Sequence, residues 1–190
     1  MLYFIIAFRR IRAPAWLAVL LIGLAPVPAW SAVEISFYSH DFGSRFPHAF
    51  VTLKGRPDRG GEAVDANFGF SATAVSPAIL MGRVKGKVYS ESAGYIKSSD
   101  SHFTMILSDQ EYDAVKATVG RWETLRQPSY DLGKQNCVFF VADIAKTLGM
   151  AIDTSRFMKK PGAFMRGLVQ NNRAWLVGRR AVFAKVPAKT

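Results

Sequence analysis

Hydrophobic and polar positions alternate along the first half of the chain. In EAVDANFGF the apolar side chains share one face, whereas Asp65 and Asn67 share the other. A period of two is typical of a β-strand with one buried face. The runs VEISFYSHDFG and HAFVTLKG, rich in β-branched and aromatic residues, predict two earlier strands. The Gly- and Pro-rich GRPDRGG lies between HAFVTLKG and EAVDANFGF and predicts the turn of a β-hairpin.

Helical signals dominate the second half. SDQEYDAVKATVGRWETL begins with Ser108 as a predicted N-cap and Glu111 as its capping-box partner. NCVFFVADIAKTLGM predicts a second helix with Asn136 as N-cap and Gly149 as its stop. KPGAFMRGLVQNN predicts a third helix and AWLVGRRAVFAK a last strand. In the middle of the chain, SPAILMG predicts a helical turn, and GKVYSES and HFTMILS predict strands. Strands followed by helices are typical of an α+β fold.

Residues 1–32 have the pattern of a secretory signal peptide. Three arginines precede the apolar run APAWLAVLLIGLAPVPA, and small residues suited to a signal peptidase follow in AWSAVE. The alternative is an uncleaved membrane anchor, because the apolar run approaches the ~20 residues that span a bilayer. The prolines and the small residues favour cleavage. We therefore expect a single domain over residues 33–190, periplasmic or secreted and monomeric.

The chain is strongly basic, with a formal charge of +11. Such a charge favours contact with an anionic cell-envelope surface, such as cell-wall polymers or lipid headgroups. The basic residues are dispersed, however, and cluster only in FMKKPGAFMR and VGRRAVFAK. An ordinary basic protein without an anionic partner explains the same charge. We expect no nucleic-acid partner.

Cys137 is the only cysteine in the chain. In an exported protein a lone cysteine is a buried apolar residue, an intermolecular bridge or a reactive thiol. The predicted N-cap at Asn136 places it in the first turn of a helix, where the helix dipole and free N–H groups stabilise a thiolate. With three histidines and one cysteine, a zinc site is not expected, and neither is a cofactor.

A catalytic thiol needs a base, normally a histidine from elsewhere in the chain. His48 is the preferred candidate because it opens a predicted strand directly after a proline. His102 also begins a predicted strand, and His40 lies in a Gly- and Ser-containing segment. If the hairpin turn is centred between residues 57 and 58, His48 faces Asn67 and Asp65 lies one pair further along. Asn67 is therefore the preferred orienting group and Asp65 the alternative.

Two segments resemble a known family, the circularly permuted papain-like (NlpC-like) thiol hydrolases, which include the lecithin:retinol acyltransferase-like proteins. PHAFVTL resembles the His strand of this family, and NCVFFVADIAKTLG resembles its nucleophile helix. The NCxxFV pattern is similar to the acyltransferase branch in particular, and YDLGKQNC resembles the usual lead-in to the cysteine. The resemblance covers roughly residues 35–175.

The resemblance implies an antiparallel β-sheet packed against the helix that carries the nucleophilic Cys137. It also implies that His48 and a polar residue of the next strand, Asn67 or Asp65, complete the site. The implied reaction is attack of the Cys137 thiolate on an amide or ester carbonyl, with proton transfer through His48 and an acyl-enzyme intermediate. The backbone N–H of Cys137 would contribute to the oxyanion hole.

Three functions are compatible with these residues. The first is an exported cysteine hydrolase of amide or peptide bonds, with peptidoglycan as one substrate. The second is an acyltransferase or lipid-directed esterase, suggested by the NCxxFV pattern and by phenylalanines expected around the cleft, namely Phe37, Phe50, Phe139 and Phe140. The third is a binding protein in which Cys137 is buried and unreactive. The expected partner is accordingly a peptide, cell-wall or acyl-lipid substrate.

Overall fold

The computed structural model describes residues 32–41, 46–74 and 76–184, and the predicted signal peptide lies outside these ranges except for residue 32. The strands in the described part are β1 (Ala32–His40), β2 (His48–Arg56), β3 (Val64–Ala72), β4 (Gly86–Tyr89), β5 (Asp100–Leu107) and β6 (Val182–Phe183). The helices there are α1 (Ala78–Met81), α2 (Ala93–Lys97), α3 (Asp109–Glu123), α4 (Cys137–Thr147), α5 (Pro161–Asn171) and α6 (Arg173–Gly178).

The strands form one antiparallel sheet in the order β4-β3-β2-β1-β5-β6. Strands come first and most of the helical residues come later, so the predicted α+β class is confirmed. Helix α4 packs against β2 and β3, and α5 packs against β1 and β5. No helix in the described ranges is long and apolar enough to span a bilayer.

Alternation along the strands decides which face of the sheet is buried. The odd-numbered residues of β1 and β2 point towards the helices, and so do the even-numbered residues of β3. Their apolar side chains form the core together with one face of α4; its fully buried members include Ile35, Phe37, Val51, Leu53, Phe70, Phe140 and Ile144. His48 and Asn67 belong to the other face. This alternation is what the sequence pattern of EAVDANFGF predicts.

The predicted helix starts are confirmed. Ser108 Oγ accepts a hydrogen bond from the Glu111 N–H, and the Glu111 carboxylate accepts one from the Ser108 N–H, which completes the capping box. Asn136 caps α4, and Gly149 follows the end of that helix with a φ of 89°. A positive φ is cheap for glycine, which explains the stop at this position.

One local prediction is wrong, and one helix was missed. The stretch AWLVGRRAVFAK begins as helix α6, which buries Leu176 in the core, and only Val182 and Phe183 form a strand. Helix α2 was not predicted: Ser92 caps it by accepting the Tyr95 N–H, and Tyr95 is buried. In both places the helix buries one large side chain that the local pattern does not mark as a core residue.

The predicted register of the β2–β3 hairpin is also wrong. Asn67 lies opposite Thr52 and Asp65 opposite Lys54, because the turn is centred two residues later than predicted. The backbone N–H groups of Asp58 and Arg59 both donate to the Asp109 carboxylate at the start of α3, at 2.9 and 2.8 Å. This anchor, which the hairpin sequence itself does not contain, holds the turn in a longer loop.

Candidate active site

Cys137 is the first residue of α4, and Asn136 fixes that end of the helix. Asn136 Oδ1 accepts the N–H groups of Val138 and Phe139, at 2.8 and 3.3 Å. Its Nδ2 donates to the carbonyls of Leu132 and Met158, both at 2.8 Å. Asn136 is fully buried with all of these bonds made. Hydrogen bonds of Asn136 to segments before and after Cys137 therefore fix the position of the Cys137 backbone.

A cavity of about 430 Å³ connects Cys137 with His48. Each is the first residue of its element, so the cavity lies where β2 and α4 begin. The residues around it are mostly apolar; they include Phe46, Pro47, Ile79, Leu80, Tyr130, Leu132, Val138 and Pro161, with Lys159 as the charged member. Two residues that are far apart in sequence thus line the same cavity. Their pairing in catalysis stays a prediction.

The thiol of Cys137 borders this cavity but is mostly covered, with 6% of the residue exposed. Burial raises the pKa of the Cys137 thiol to about 11, although hydrogen bonds from the backbone N–H groups of Ala49, Val138 and Cys137 itself act in the opposite direction. Burial thus opposes the thiolate that the helix start favours, and desolvation is the larger of the two effects. The contact with Ala49 places the sulfur at the residue next to His48.

The His48 ring is held between aromatic side chains on the sheet. It lies parallel to the rings of Tyr89 and Phe50, with centroids 5.9 and 6.1 Å away. Gly69 makes room for it, since a Cβ at that position would overlap Nε2 and lie 3.1 Å from Cε1. The orientation of the imidazole is therefore fixed by packing. The Gly69 requirement is visible only in three dimensions, because His48 lies beyond the last β2–β3 pair, Phe50–Gly69.

The carboxylate nearest to His48 that the structure reveals is Glu91, which the sequence analysis did not identify. Glu91 Oε1 is 3.5 Å from His48 Nε2, just beyond hydrogen-bond length. Nε2 is buried and forms no hydrogen bond in the structure. A small shift would let Nε2–H donate to Glu91, and catalytic hydrogen bonds are often longer before a substrate binds. Glu91 is therefore the candidate for the orienting group.

Asn67 acts on this site through Glu91 rather than through His48. Its side-chain amide accepts the Glu91 N–H at 2.6 Å and donates to the Glu91 carbonyl at 3.2 Å. Continuing the register, Asn67 lies four residues from the point opposite His48, about 14 Å away. Asp65 is exposed and lies two residues further on. The predicted direct partnership of Asn67 or Asp65 with His48 is thus wrong, and Asn67 instead holds the segment that carries Glu91.

Burial lowers the pKa of His48 to about 4, and His40 directly across the β1–β2 pair adds to this effect. The Glu91 carboxylate would favour the imidazolium, but it makes no hydrogen bond to the ring, so desolvation prevails. Burial raises the pKa of Tyr89 to about 12, and Glu91 contributes in the same direction. Burial therefore favours the neutral thiol of Cys137 and the neutral imidazole of His48 in the resting site.

The other two histidines lie outside the cavity. His40 Nδ1 is 3.3 Å from Ser99 Oγ, and its ring packs against Tyr95. His102 Nε2 is 2.8 Å from the buried Ser39 Oγ, in a bond that joins β1 to β5. Both therefore have structural contacts of their own. No cluster of three or more metal-ligating side chains occurs in the described ranges.

The Gly69→Ala substitution tests the packing of His48 directly. The added methyl group displaces the imidazole from its position beside Glu91. We expect any activity of the site to fall by about 10²-fold, a loss that a 1 Å misplacement can cause. The measurement is kcat/KM together with thermal unfolding. Gly167→Ala is the matched control, because a Cβ at this helical position meets nothing within 4 Å. Equal activity of the two variants would contradict the assigned position of His48.

Comparison of this chain with protein families, with curated proteins and with solved structures gave no match.

Proposed function

We propose that this protein is an exported cysteine hydrolase that cleaves amide or peptide bonds through an acyl-enzyme intermediate on Cys137. The observation that carries the proposal is the cavity that Cys137 and His48 share. Cys137 and His48 come from distant segments, and both line this cavity where a helix and a strand begin. The position of Glu91 beside the far nitrogen of His48 supports the same assignment.

The topology supports a permuted papain-like arrangement of the fold. The histidine strand β2 precedes the cysteine helix α4 in the chain, and α4 packs on an antiparallel sheet. Both features agree with the family that the sequence resembles. The third polar group departs from the implied arrangement, since Glu91 follows β4 rather than lying on the strand after His48.

The proposed reaction begins with a neutral pair. Because Nε2 faces Glu91, we assign the proton exchange with the thiol to Nδ1. His48 takes the thiol proton as Cys137 Sγ attacks the carbonyl carbon, and it returns that proton to the leaving amine as the C–N bond breaks. Water then attacks the thioester, with His48 taking its proton, and the thiol is regenerated when the carboxylic acid leaves.

The oxyanion is assigned to the backbone N–H of Cys137. The N–H groups of Val138 and Phe139 already donate to Asn136 Oδ1. The Cys137 N–H acts on its own thiol in the resting site and lies at the first residue of α4, where the helix dipole also favours negative charge on a bound oxyanion. The raised pKa of the thiol is compatible with this mechanism, because general-base removal of the proton during attack does not require a stable thiolate beforehand.

A second candidate is an acyltransferase or lipid-directed esterase with the same residues. The apolar lining of the cavity favours it, because an acyl chain fits such a surface better than a sugar or a charged peptide does. The two candidates share the acyl-enzyme and differ in the group attached to the carbonyl. Peptidoglycan is the polar alternative to a lipid substrate, so the experiment includes both.

Trapping the acyl-enzyme tests both candidates. The protein is incubated separately with purified sacculi and with phospholipid or short-chain acyl esters, quenched in acid and digested. We expect an acyl adduct on the peptide that contains Cys137. The corresponding peptide of Cys137→Ser should carry no such adduct. Released muropeptides would identify a cell-wall hydrolase, and released fatty acid a lipid-directed enzyme. No adduct and no product with any substrate would contradict the proposal and leave a binding protein.

A further inference from the structure

Large apolar side chains are exposed around the mouth of the Cys137 cavity. Phe46 is 63% exposed, Leu80 is 80% exposed and Met81 is 87% exposed. Phe46 and Leu80 also line the cavity, and Met81 follows Leu80 in the chain. We call these three residues the apolar rim. Single exposed apolar residues are ordinary on a protein surface, but several together at one cleft indicate an interaction site.

The sequence of α1 gives the apolar rim its unusual character. This helix consists of Ala78–Met81, AILM, and has no buried residue. Ile79 is half-buried and packs against the core, whereas Leu80 and Met81 are exposed to water and contribute little to it. Gly82 ends the helix with a φ of 157°. The helix thus projects Leu80 and Met81 from the surface on a short turn at the entrance of the cavity.

Positive charge surrounds the apolar rim. Arg83 and Lys85 follow α1, while Lys159 lines the cavity and Lys160 is its neighbour. The Val84–Tyr130 bridge holds the segment after α1 against the cavity wall. Asp131 lies 3.8 Å from Arg83 and offsets part of this charge. Four basic residues against one acidic residue leave the surroundings of the apolar rim positive, in a chain whose net charge is +11.

We propose that the apolar rim docks on the surface of a bilayer that contains anionic phospholipid. Leu80, Met81 and Phe46 enter the boundary between headgroups and acyl chains, while the neighbouring lysines contact lipid phosphates. Exposed apolar groups flanked by basic residues have the chemistry of an interfacial membrane contact. Docking in this orientation turns the mouth of the cavity towards the lipid. The inference rests on exposure and charge alone and does not depend on the proposed chemistry of Cys137.

The experiment places an environment-sensitive fluorophore on the apolar rim. A Leu80→Cys, Cys137→Ala variant of the full chain is labelled with a nitrobenzoxadiazole dye and mixed with vesicles of phosphatidylcholine and phosphatidylglycerol at 3:1. We expect a blue shift, and quenching by nitroxide groups on the lipid chains. Val182→Cys, Cys137→Ala is the matched control, since Val182 is 70% exposed and lies on the edge strand β6. Its label should remain in water even where another part of the chain binds the vesicles.

Charge variants test the basic part of the surface. Lys159→Gln and Lys160→Gln should each lower the partition onto anionic vesicles about fivefold, the equivalent of about 1 kcal/mol per basic residue near a charged membrane. Vesicles of phosphatidylcholine alone should leave the label at position 80 unquenched. Circular dichroism and thermal unfolding confirm that each labelled variant is folded before it is mixed with lipid.

Three results would overturn the docking proposal. The label at position 80 could fail to respond to anionic vesicles, or it could respond no more than the label at position 182. A blue shift without vesicles that grows with protein concentration would show that a second copy of the chain covers the apolar rim. Because all labelled variants lack the thiol, these outcomes are independent of whether Cys137 is a nucleophile.

Discussion

The His48→Gln variant is expected to lose about 10³-fold in kcat/KM on the substrate that acylates Cys137, within the usual range for removing a general base. Glutamine has no side-chain nitrogen basic enough to accept and return a proton near neutral pH. It is close to histidine in length and fits between Tyr89 and Phe50, so the loss reports on proton transfer more than on packing. The measurement is the rate of product release and the amount of acyl-enzyme trapped.

His102→Gln is the matched control for this loss. Its amide retains a hydrogen-bonding group for the Ser39 hydroxyl, which His102 contacts at 2.8 Å between β1 and β5. We expect its activity to stay close to that of the unchanged protein. If both variants lose activity equally, the effect comes from the sheet rather than from the base. If His48→Gln retains full activity, His48 is not the proton carrier.

Local signals in the sequence were sufficient to predict where helices α3 and α4 begin. Ser108 and Glu111 are three residues apart and complete their capping box within one turn. Asn136 caps α4 through the two N–H groups that follow Cys137. Such interactions depend only on neighbouring residues, so a pattern of residue types predicts them. The position of Cys137 at a helix start follows from the same local rule.

The orienting group could not be predicted, because it depends on the register of distant strands. The hairpin turn is held by Asp109, which lies far outside the hairpin sequence. The shift kept Asn67 on the face of His48 but moved it along the strand, where it binds the backbone of Glu91. Nothing in the sequence around Glu91 signals this role. It arises from the β3–β4 pairing and from the space at Gly69.

Burial was the second quantity that residue types alone did not reveal. A cysteine at a helix start has a lowered pKa when it is partly exposed, and a raised one when it is enclosed. The same enclosure lowers the pKa of His48, so both groups are held in their neutral forms. A neutral pair is suited to general-base attack. It also has a consequence for stability that does not depend on any substrate.

The free energy of unfolding should fall by about 3 kcal/mol between pH 6.5 and pH 4 because of His48 alone. In the unfolded chain histidine binds a proton near pH 6.5, whereas folded His48 does so only at about pH 4. Between these values the unfolded state binds more protons, so stability decreases as the pH decreases. Above pH 7 both states are neutral and His48 makes no contribution. Urea unfolding at pH 7 and pH 4 measures the difference.

The His48→Gln variant isolates this effect from the other groups that titrate in acid. Glutamine does not titrate, so the variant should lose about 3 kcal/mol less than the unchanged protein between the two pH values. The variant that loses catalysis would then be more stable in acid than the unchanged protein. The reason is that buried neutral His48 lowers the stability in acid and acts as the base at neutral pH. His102→Gln removes a half-buried histidine of the sheet, and because burial also lowers the pKa of His102, this variant should change the pH dependence in the same direction. Identical pH dependence of the unchanged protein and His48→Gln would show that Glu91 stabilises the protonated ring enough to cancel the effect of burial.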